Sequence, residues 1–550
     1  MKLDGQRLLQ LTKELVAIKS VVGTPEESNV SIKIEEILRS LPYFKKHPEK
    51  IFLVENEEDP LGRQSLMVSL EGQKEESTKT VVLIGHIDTV GISDYGDLSP
   101  YATNPTLLME KLQERSLPPQ VREDLSSGSY LFGRGVLDMK SGVAMIVHLL
   151  EVLSKDLSQV SGNLVAAFVS DEEGNSKGML SCVPQLVALK ERHGYDYTVA
   201  IDTDYTSMRT LQDPHRYLYA GTIGKLMPSF YILGKETHVG DPFGGLDPNE
   251  LAAELVRRIN LNVDFSDESM GEVTVPPVTL RLRDLKPEYS VQTNRDATVY
   301  FNYATHSQTP DEVLQIMKAE ALEAFDDVLR KLQKQYHRFT KNMQMNEALL
   351  PWKAKVVTYE ELLFTVAKKN QEVHKYLDAY AKSLLQEGLT DERDLALMMV
   401  KKLHELSEEK EPMMVLYFSP PYYPHMAVTG KTKEEAKLLQ VLESLTRDEG
   451  DHPIVFRKFY PYISDLSYFS LPEEASVDTL KGNMPGFGLS YKLPLEDIRK
   501  LSLPVANIGP YGFDAHQYTE RIHMEYSYEN LPALFLETVL TMMSKEDPAP

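Results

Sequence analysis

The chain of 550 residues has one cysteine, one tryptophan, no long apolar run, and too few basic residues to balance its acidic ones. Each shortage excludes something. A lone cysteine, Cys182, cannot form an internal disulfide, which fits a reducing compartment and a core role for that thiol. No run of eighteen or more apolar residues occurs, so no membrane-spanning helix is expected. The start, MKLDGQRLLQLTKELV, mixes charged and apolar residues as an amphipathic helix does and lacks the apolar core of a signal peptide. With 59 Lys and Arg against 82 Asp and Glu, the formal charge is -23, which argues against nucleic acid or an anionic membrane as partner. The expectation is a cytoplasmic, acidic protein of two or more domains.

What is present reads first as an α/β fold. Apolar runs at Ile51–Val54, Ser65–Leu70, Val81–Ile84, Leu164–Ser170 and Thr198–Ile201 alternate with helical patterns, the signature of a mostly parallel sheet flanked by helices. Residues 93–128 are polar and turn-rich, an excursion from that sheet. After Gly221 the rhythm becomes β-α-β-β-α, which suits a small inserted α+β, ferredoxin-like domain. Residues 357–410 are helical nearly throughout. The expected division is a catalytic domain in two parts, 1–214 and 411–550, an inserted domain at 215–356 and a helical insert at 357–410.

Chemistry collects where strands end. VVLIGHIDTV (81–90) runs from a buried strand into His86 and Asp88, which the period of two sends the same way. The strand ending at Ser170 delivers Asp171, Glu172 and Glu173, and the one ending at Ile201 delivers Asp202. GRGVLDMK places Asp138 at a helix start, where capping alone would explain it. GPYGFDAH brings His516, with Glu520 close behind. Ligands of open α/β sheets bind beyond the carboxyl ends of the strands. Imidazole and carboxylate groups gathered there suit zinc, cobalt or manganese.

Together GHIDTV, GRGVLDMKSG, SDEEGNSKG and GPYGFDAH resemble the ordered signatures of the dizinc exopeptidase and deacylase family, which includes glutamate carboxypeptidase, succinyl-diaminopimelate desuccinylase, acetylornithine deacetylase and the aminoacylases. GKETHVGDPFGG resembles the segment of that family's lid domain that bears a histidine. The resemblance implies a zinc-exopeptidase-like catalytic domain and two divalent ions, zinc by default. His86 and Asp202 would hold one ion, His516 and Glu173 the other, and Asp138 would bridge them, followed by a cis peptide. It further implies Asp88 orienting the His86 ring, Glu172 as general base, and His238 stabilising the oxyanion and hinting at a homodimer through the lid. Asp465 stands where the family carries an aspartate, and Glu520 is a candidate supporting acid.

The lid departs from the family. Tyr303 stands where an arginine grips the substrate carboxylate, and SVQTN replaces the segment before it. Arg283 and Arg295 are the alternative cations, each with a surface ion pair as the plainer role. The length and the two extra segments resemble the arginine-utilisation (RocB-type) branch. The implied activity is hydrolysis of a peptide or N-acyl amide bond on a small substrate. The alternative is a binding or regulatory protein that keeps the fold without turnover.

Overall fold

The computed structural model describes residues 1–346, 348–448, 450, 452–471 and 474–545. The chain divides into two compact units, one formed by Met1–Thr222, Met426–Leu471 and Pro494–Pro550, the other by Ile223–His425 and Pro472–Leu493.

The first unit is built on an eight-stranded sheet, in the order Ile51–Glu55, Gln64–Glu71, Asn163–Val169, Lys79–His86, Asp196–Asp202, Val505–Asn507, Arg216–Ala220 and Ile454–Arg457. Its centre is parallel: Lys79–His86 pairs in parallel with both Asn163–Val169 and Asp196–Asp202. Those strands are buried almost end to end, because helices cover both faces and no polar alternation is needed. The helices Gly5–Val16, Ser28–Arg39, Lys140–Leu153 and Leu531–Met543 supply much of the shared apolar core. Gly142 explains itself here: a Cβ would lie 2.0 Å from the carbonyl oxygen of Thr203, so only glycine lets the helix of DMKSG approach the end of strand Asp196–Asp202.

The excursion at 93–128 is helical rather than turn-rich. Pro105–Gln113 and Pro119–Ser127 are α-helices, with Tyr95, Leu98, Leu108, Leu112, Val121 and Phe132 forming a small core of their own. Proline at each first turn starts the helix where its missing N–H is not needed, a signal that the polar composition concealed.

The second unit holds a sheet in the order Val278–Asp284, Asp296–Thr305, Pro228–Leu233, Met413–Phe418 and Val356–Thr358. Each of the first four is antiparallel to its neighbour. With the helices Pro248–Ile259 and Pro310–Asn342 they complete the ferredoxin-like β-α-β-β-α-β order. The last strand was expected to resume the catalytic domain; instead it pairs with Pro228–Leu233. The helical insert therefore interrupts the ferredoxin-like unit before its final strand, and its helices Tyr359–Ala367, Val373–Gln386 and Glu392–Ser407 share a core with that sheet. Capping boxes at Thr309 with Glu312 and Thr358 with Glu361 fix two of the helix starts. No helix among the described residues is long and apolar enough to cross a membrane.

Candidate metal centre

Asp138 lies at the middle of the expected cluster. Its Oδ1 is 2.9 Å from His86 Nε2 and its Oδ2 is 2.9 Å from His516 Nε2, so one carboxylate spans two imidazoles. His516 Nε2 is also 2.8 Å from Glu173 Oε1. Donor atoms of His86, Asp138 and Glu173 all lie within 4.8 Å of one another. Asp202 sits level with Ile84 across the parallel ladder, its Oδ2 accepting from Ser464 Oγ at 2.7 Å and its Oδ1 from the Thr203 amide at 2.8 Å. The peptide between Asp138 and Met139 is cis.

The loop that carries Asp138 is fastened by Glu520. Its Oε1 accepts from the amides of Gly135 at 2.8 Å, Leu137 at 3.1 Å and Asp138 at 3.3 Å. Its Oε2 accepts from Arg134 at 2.7 Å, and Arg134 continues to both oxygens of Asp94 at 3.0 and 2.9 Å. Through that guanidinium the excursion at 93–128 ties into the site loop.

Asp88 is placed differently from the expectation. Its nearest carboxylate oxygen is 3.7 Å from His86 Nδ1, too far for a hydrogen bond. The ring nitrogen lies 3.1 Å from the Asp88 backbone carbonyl, and donation there leaves Nε2 as the lone-pair nitrogen facing Asp138. The carboxylate of Asp88 instead accepts from the amides of Glu172 at 3.2 Å and Glu173 at 3.0 Å. It holds the acidic turn, and its main chain holds the imidazole.

The electrostatics show what the donor set lacks. Burial pushes the carboxyls of Asp88, Glu172, Asp202, Asp204 and Asp465 above the ordinary range, and neighbouring carboxylates add to it in several of them. Asp138 goes the other way: burial opposes its charge, but hydrogen bonds to His516 and His86 hold it well down. So many buried carboxyls around two histidines fit divalent cations, which favour the ionised form of each. The set of nitrogen and oxygen donors suits zinc, cobalt or manganese.

Several contributors escaped the sequence reading. Asp204 is buried beside Asp138 and Asp202, and IDTD repeats the spacing of two already seen in HID, which could have found it. Ser464 precedes the noted Asp465. Tyr205 stacks on Tyr462 at 4.9 Å, close enough for Asp138 and Glu173 to act on its phenol; no motif announces either ring. Cys182 is buried, as expected. Tyr303 is fully buried and donates to Gln308 at 2.9 Å, while Arg283 is drawn to Asp394 at 3.1 Å. His238 lies in the second unit, exposed, with its Nδ1 accepting from the Gly240 amide at 3.0 Å.

A mixed sheet whose parallel centre ends in histidines and carboxylates in this geometry defines a class, the dinuclear metallohydrolases acting on amide bonds. The chain belongs to the peptidase family M20/M25/M40, whose profile matches residues 82–469. It is 32% identical to Protein RocB of Bacillus subtilis (strain 168) over 549 residues, covering 98% of this chain and 95% of that one. It is 34% identical over 549 residues to the uncharacterized protein YqjN of the same organism, covering 98% and 97%. Among solved structures, a tripeptidase from Staphylococcus aureus subsp. aureus Mu50 aligns over 99% of this chain and 100% of its own, with a TM-score of 0.52 at 14% identity, a likeness of fold alone.

Proposed function

We propose that the protein hydrolyses the amide bond of a small N-acyl amino acid or short peptide, with Glu172 as the general base. The observation that carries this reading is the Asp138 carboxylate, each oxygen of which faces a different histidine. His86 and Asp202 would hold one divalent ion and His516 and Glu173 the other, with Asp138 shared. Zinc is the ion of choice, because imidazole with carboxylate is its common ligand set in hydrolases. A bound pair supplies Lewis-acid activation of water and of the scissile carbonyl.

Glu172 takes a proton from the attacking water and passes it to the leaving amine. Burial and neighbouring carboxylates hold its carboxyl up, against the pull of His86; cations beside it favour the ionised form that a base requires. His238 is assigned to the oxyanion. Its Nδ1 accepts a hydrogen bond from Gly240, so the neutral ring carries its proton on Nε2, the donor such a role needs. We further propose a homodimer through the second unit, whose edge strand Val278–Asp284 pairs on one side only among the described residues and exposes Leu280 and Leu282.

Position 303 holds a neutral tyrosine, buried and donating to Gln308, so it offers no cation to a substrate carboxylate. N-acylated arginine, ornithine and lysine head the substrate panel, as the resemblance to the arginine-utilisation branch implies, with simple dipeptides alongside. The test is turnover of this panel by protein carrying a measured metal content. Two ions per chain with hydrolysis of at least one compound upholds the reading, and no bound metal would favour a binding protein without turnover.

A further inference from the structure

Behind the acidic turn lies a buried charge cluster that the proposed chemistry does not use. The Arg63 side chain is 4% exposed. Its Nε and Nη2 fork onto Asp59 at 2.8 and 3.1 Å, and its Nη1 meets Glu27 at 3.0 Å and Asp171 at 2.5 Å. Glu27 in turn accepts from the Asp171 amide at 2.9 Å and the Gly23 amide at 2.7 Å. Asp171 has a left-handed backbone, φ 66°, uncommon for a residue other than glycine and held here by the bonds its side chain and carbonyl make. Its second carboxylate oxygen accepts from the Lys177 amide at 3.2 Å, and its carbonyl from the amides of Gly174 at 3.2 Å and Ser176 at 2.7 Å. The next two residues are Glu172 and Glu173, both pinned to Asp88 from the other side.

The segment leading into Glu27 is laced to the other site loops as well. Ile18 carbonyl accepts from Lys140 Nζ at 2.6 Å, two residues beyond Asp138. Ser20 Oγ donates to the Ile87 carbonyl at 2.7 Å, the Thr89 amide donates to the Ser20 carbonyl at 2.9 Å, and the Val22 amide to the Thr89 carbonyl at 2.8 Å. One stretch of ten residues thus touches the loops bearing His86, Asp138 and Glu173.

We infer that Arg63 and Glu27 are positioning residues, and that Ile18–Glu27 is a clasp that sets the Asp171–Glu173 turn for metal binding and proton transfer. Burying three carboxylates around one guanidinium is costly, and well-packed apolar residues would commonly stabilise the fold as well or better. What apolar residues cannot do is dictate a left-handed turn and the direction of its two glutamates. The inference rests on the two-ion reading above.

The test uses the full chain stripped of metal, with three variants. Zinc affinity is measured by competition with a chromophoric chelator, and hydrogen exchange is followed at the Glu172 and Glu173 amides. Arg63→Met should weaken zinc binding about 10- to 100-fold, the range seen when groups supporting metal ligands are removed, and should speed exchange at both amides. Arg63→Lys, which keeps the charge but not the fork, should recover part of each. Lys50→Met breaks the Lys50–Glu71 ion pair elsewhere in the same unit (2.6 Å) and should leave both readouts within about twofold. Should Arg63→Met not fold, Glu27→Gln takes its place with the same two readouts expected to move. Zinc affinity in the variant within twofold of wild type, or an equal loss in Lys50→Met, overturns the clasp. A wild-type chain that takes up no zinc overturns the two-ion reading instead, before any variant is compared.

Discussion

Glu520 in the first unit and Asp267 in the second use the same local chemistry and reach opposite results. Both are buried carboxyls that accept several backbone amides. Asp267 accepts from His306, Ser307 and Gln308, each at 2.7 Å; although burial works against its charge, these bonds hold it below the ordinary carboxylate range. Glu520 accepts three amides and an arginine, yet burial, abetted by the charge of Asp138, pushes it up to about 7. The difference is first the burial of Glu520 and then the company it keeps. Asp267 takes three amides and the Ser307 hydroxyl and is a settled anion. Glu520 is buried beside Asp138, and its donors do not offset the cost of that burial. A crowd of buried acids like that around Asp138 stays protonated or keeps its charge beside cations.

The severest way to break the contrast is to remove the shared carboxylate. Asp138→Ala should take the metal content from two ions per chain to fewer than one and lower turnover by about 10⁴-fold or more, read by elemental analysis and by kcat. Glu172→Gln should separate metal binding from chemistry. Metal content should stay at two while kcat falls roughly 10²- to 10⁴-fold, the share of a general acid–base group. Equal loss of metal in Glu172→Gln would make Glu172 a ligand rather than a base.

Glu520→Gln probes the crowd one step further out. An amide can accept from only some of the three backbone donors and offers no charge to Arg134, so metal affinity should fall about 10- to 100-fold with the fold retained. The matching amide at the other site, Asp267→Asn, should lower the thermal midpoint and leave metal affinity unchanged. That pair of results would sharpen the comparison into a statement about function.

Most of this site was legible because its groups come in short motifs at strand ends. His86, Asp138, Glu173 and His516 meet within hydrogen-bonding distance although they span the chain from one end to the other. What stayed hidden came from residues with no chemical signature of their own. Arg63 and Glu27 look like ordinary surface charges in LGRQS and TPEES, and only the fold brings them under Asp171. Asp88 was visible, but whether its carboxylate or its carbonyl faces the ring depends on a backbone path that no spacing rule gives. The ferredoxin-like order was legible up to its last strand. Met413–Phe418 lies beyond three helices, and an apolar strand of six residues does not say which sheet it will join.

Away from the site, the first unit also holds an isolated and satisfied acid. Glu151 receives Arg7 at 2.6 Å and His148 Nδ1 at 2.8 Å, and the Asp4 amide donates to His148 Nε2 at 2.9 Å. Burial opposes the charge of Glu151, but His148 and Arg7 bring its pKa down from 4.5 to about 2. A depressed carboxyl contributes stability that is complete above its unfolded pKa and lost as pH falls through its folded one. The contribution should fade between pH 4.5 and about 2. Glu151→Gln should flatten that part of the acid-denaturation curve, with metal affinity unaffected.

The smallest expected effect on stability lies at the edge of the second unit. Val278–Asp284 shows the alternation of a strand with one wet face, unlike the continuously buried strands around the metal centre. Leu280 and Leu282 are 52% and 46% exposed, so a charged replacement removes little buried surface. Leu282→Lys should shift stability by no more than about 0.5 kcal/mol, since an edge lysine is the ordinary guard against further strand pairing. If the chain pairs through this edge, the same change should turn a dimer into a monomer in sedimentation velocity. An unchanged sedimentation coefficient would place the association elsewhere or nowhere, and a large loss of stability would mean that these leucines are covered within the unit itself.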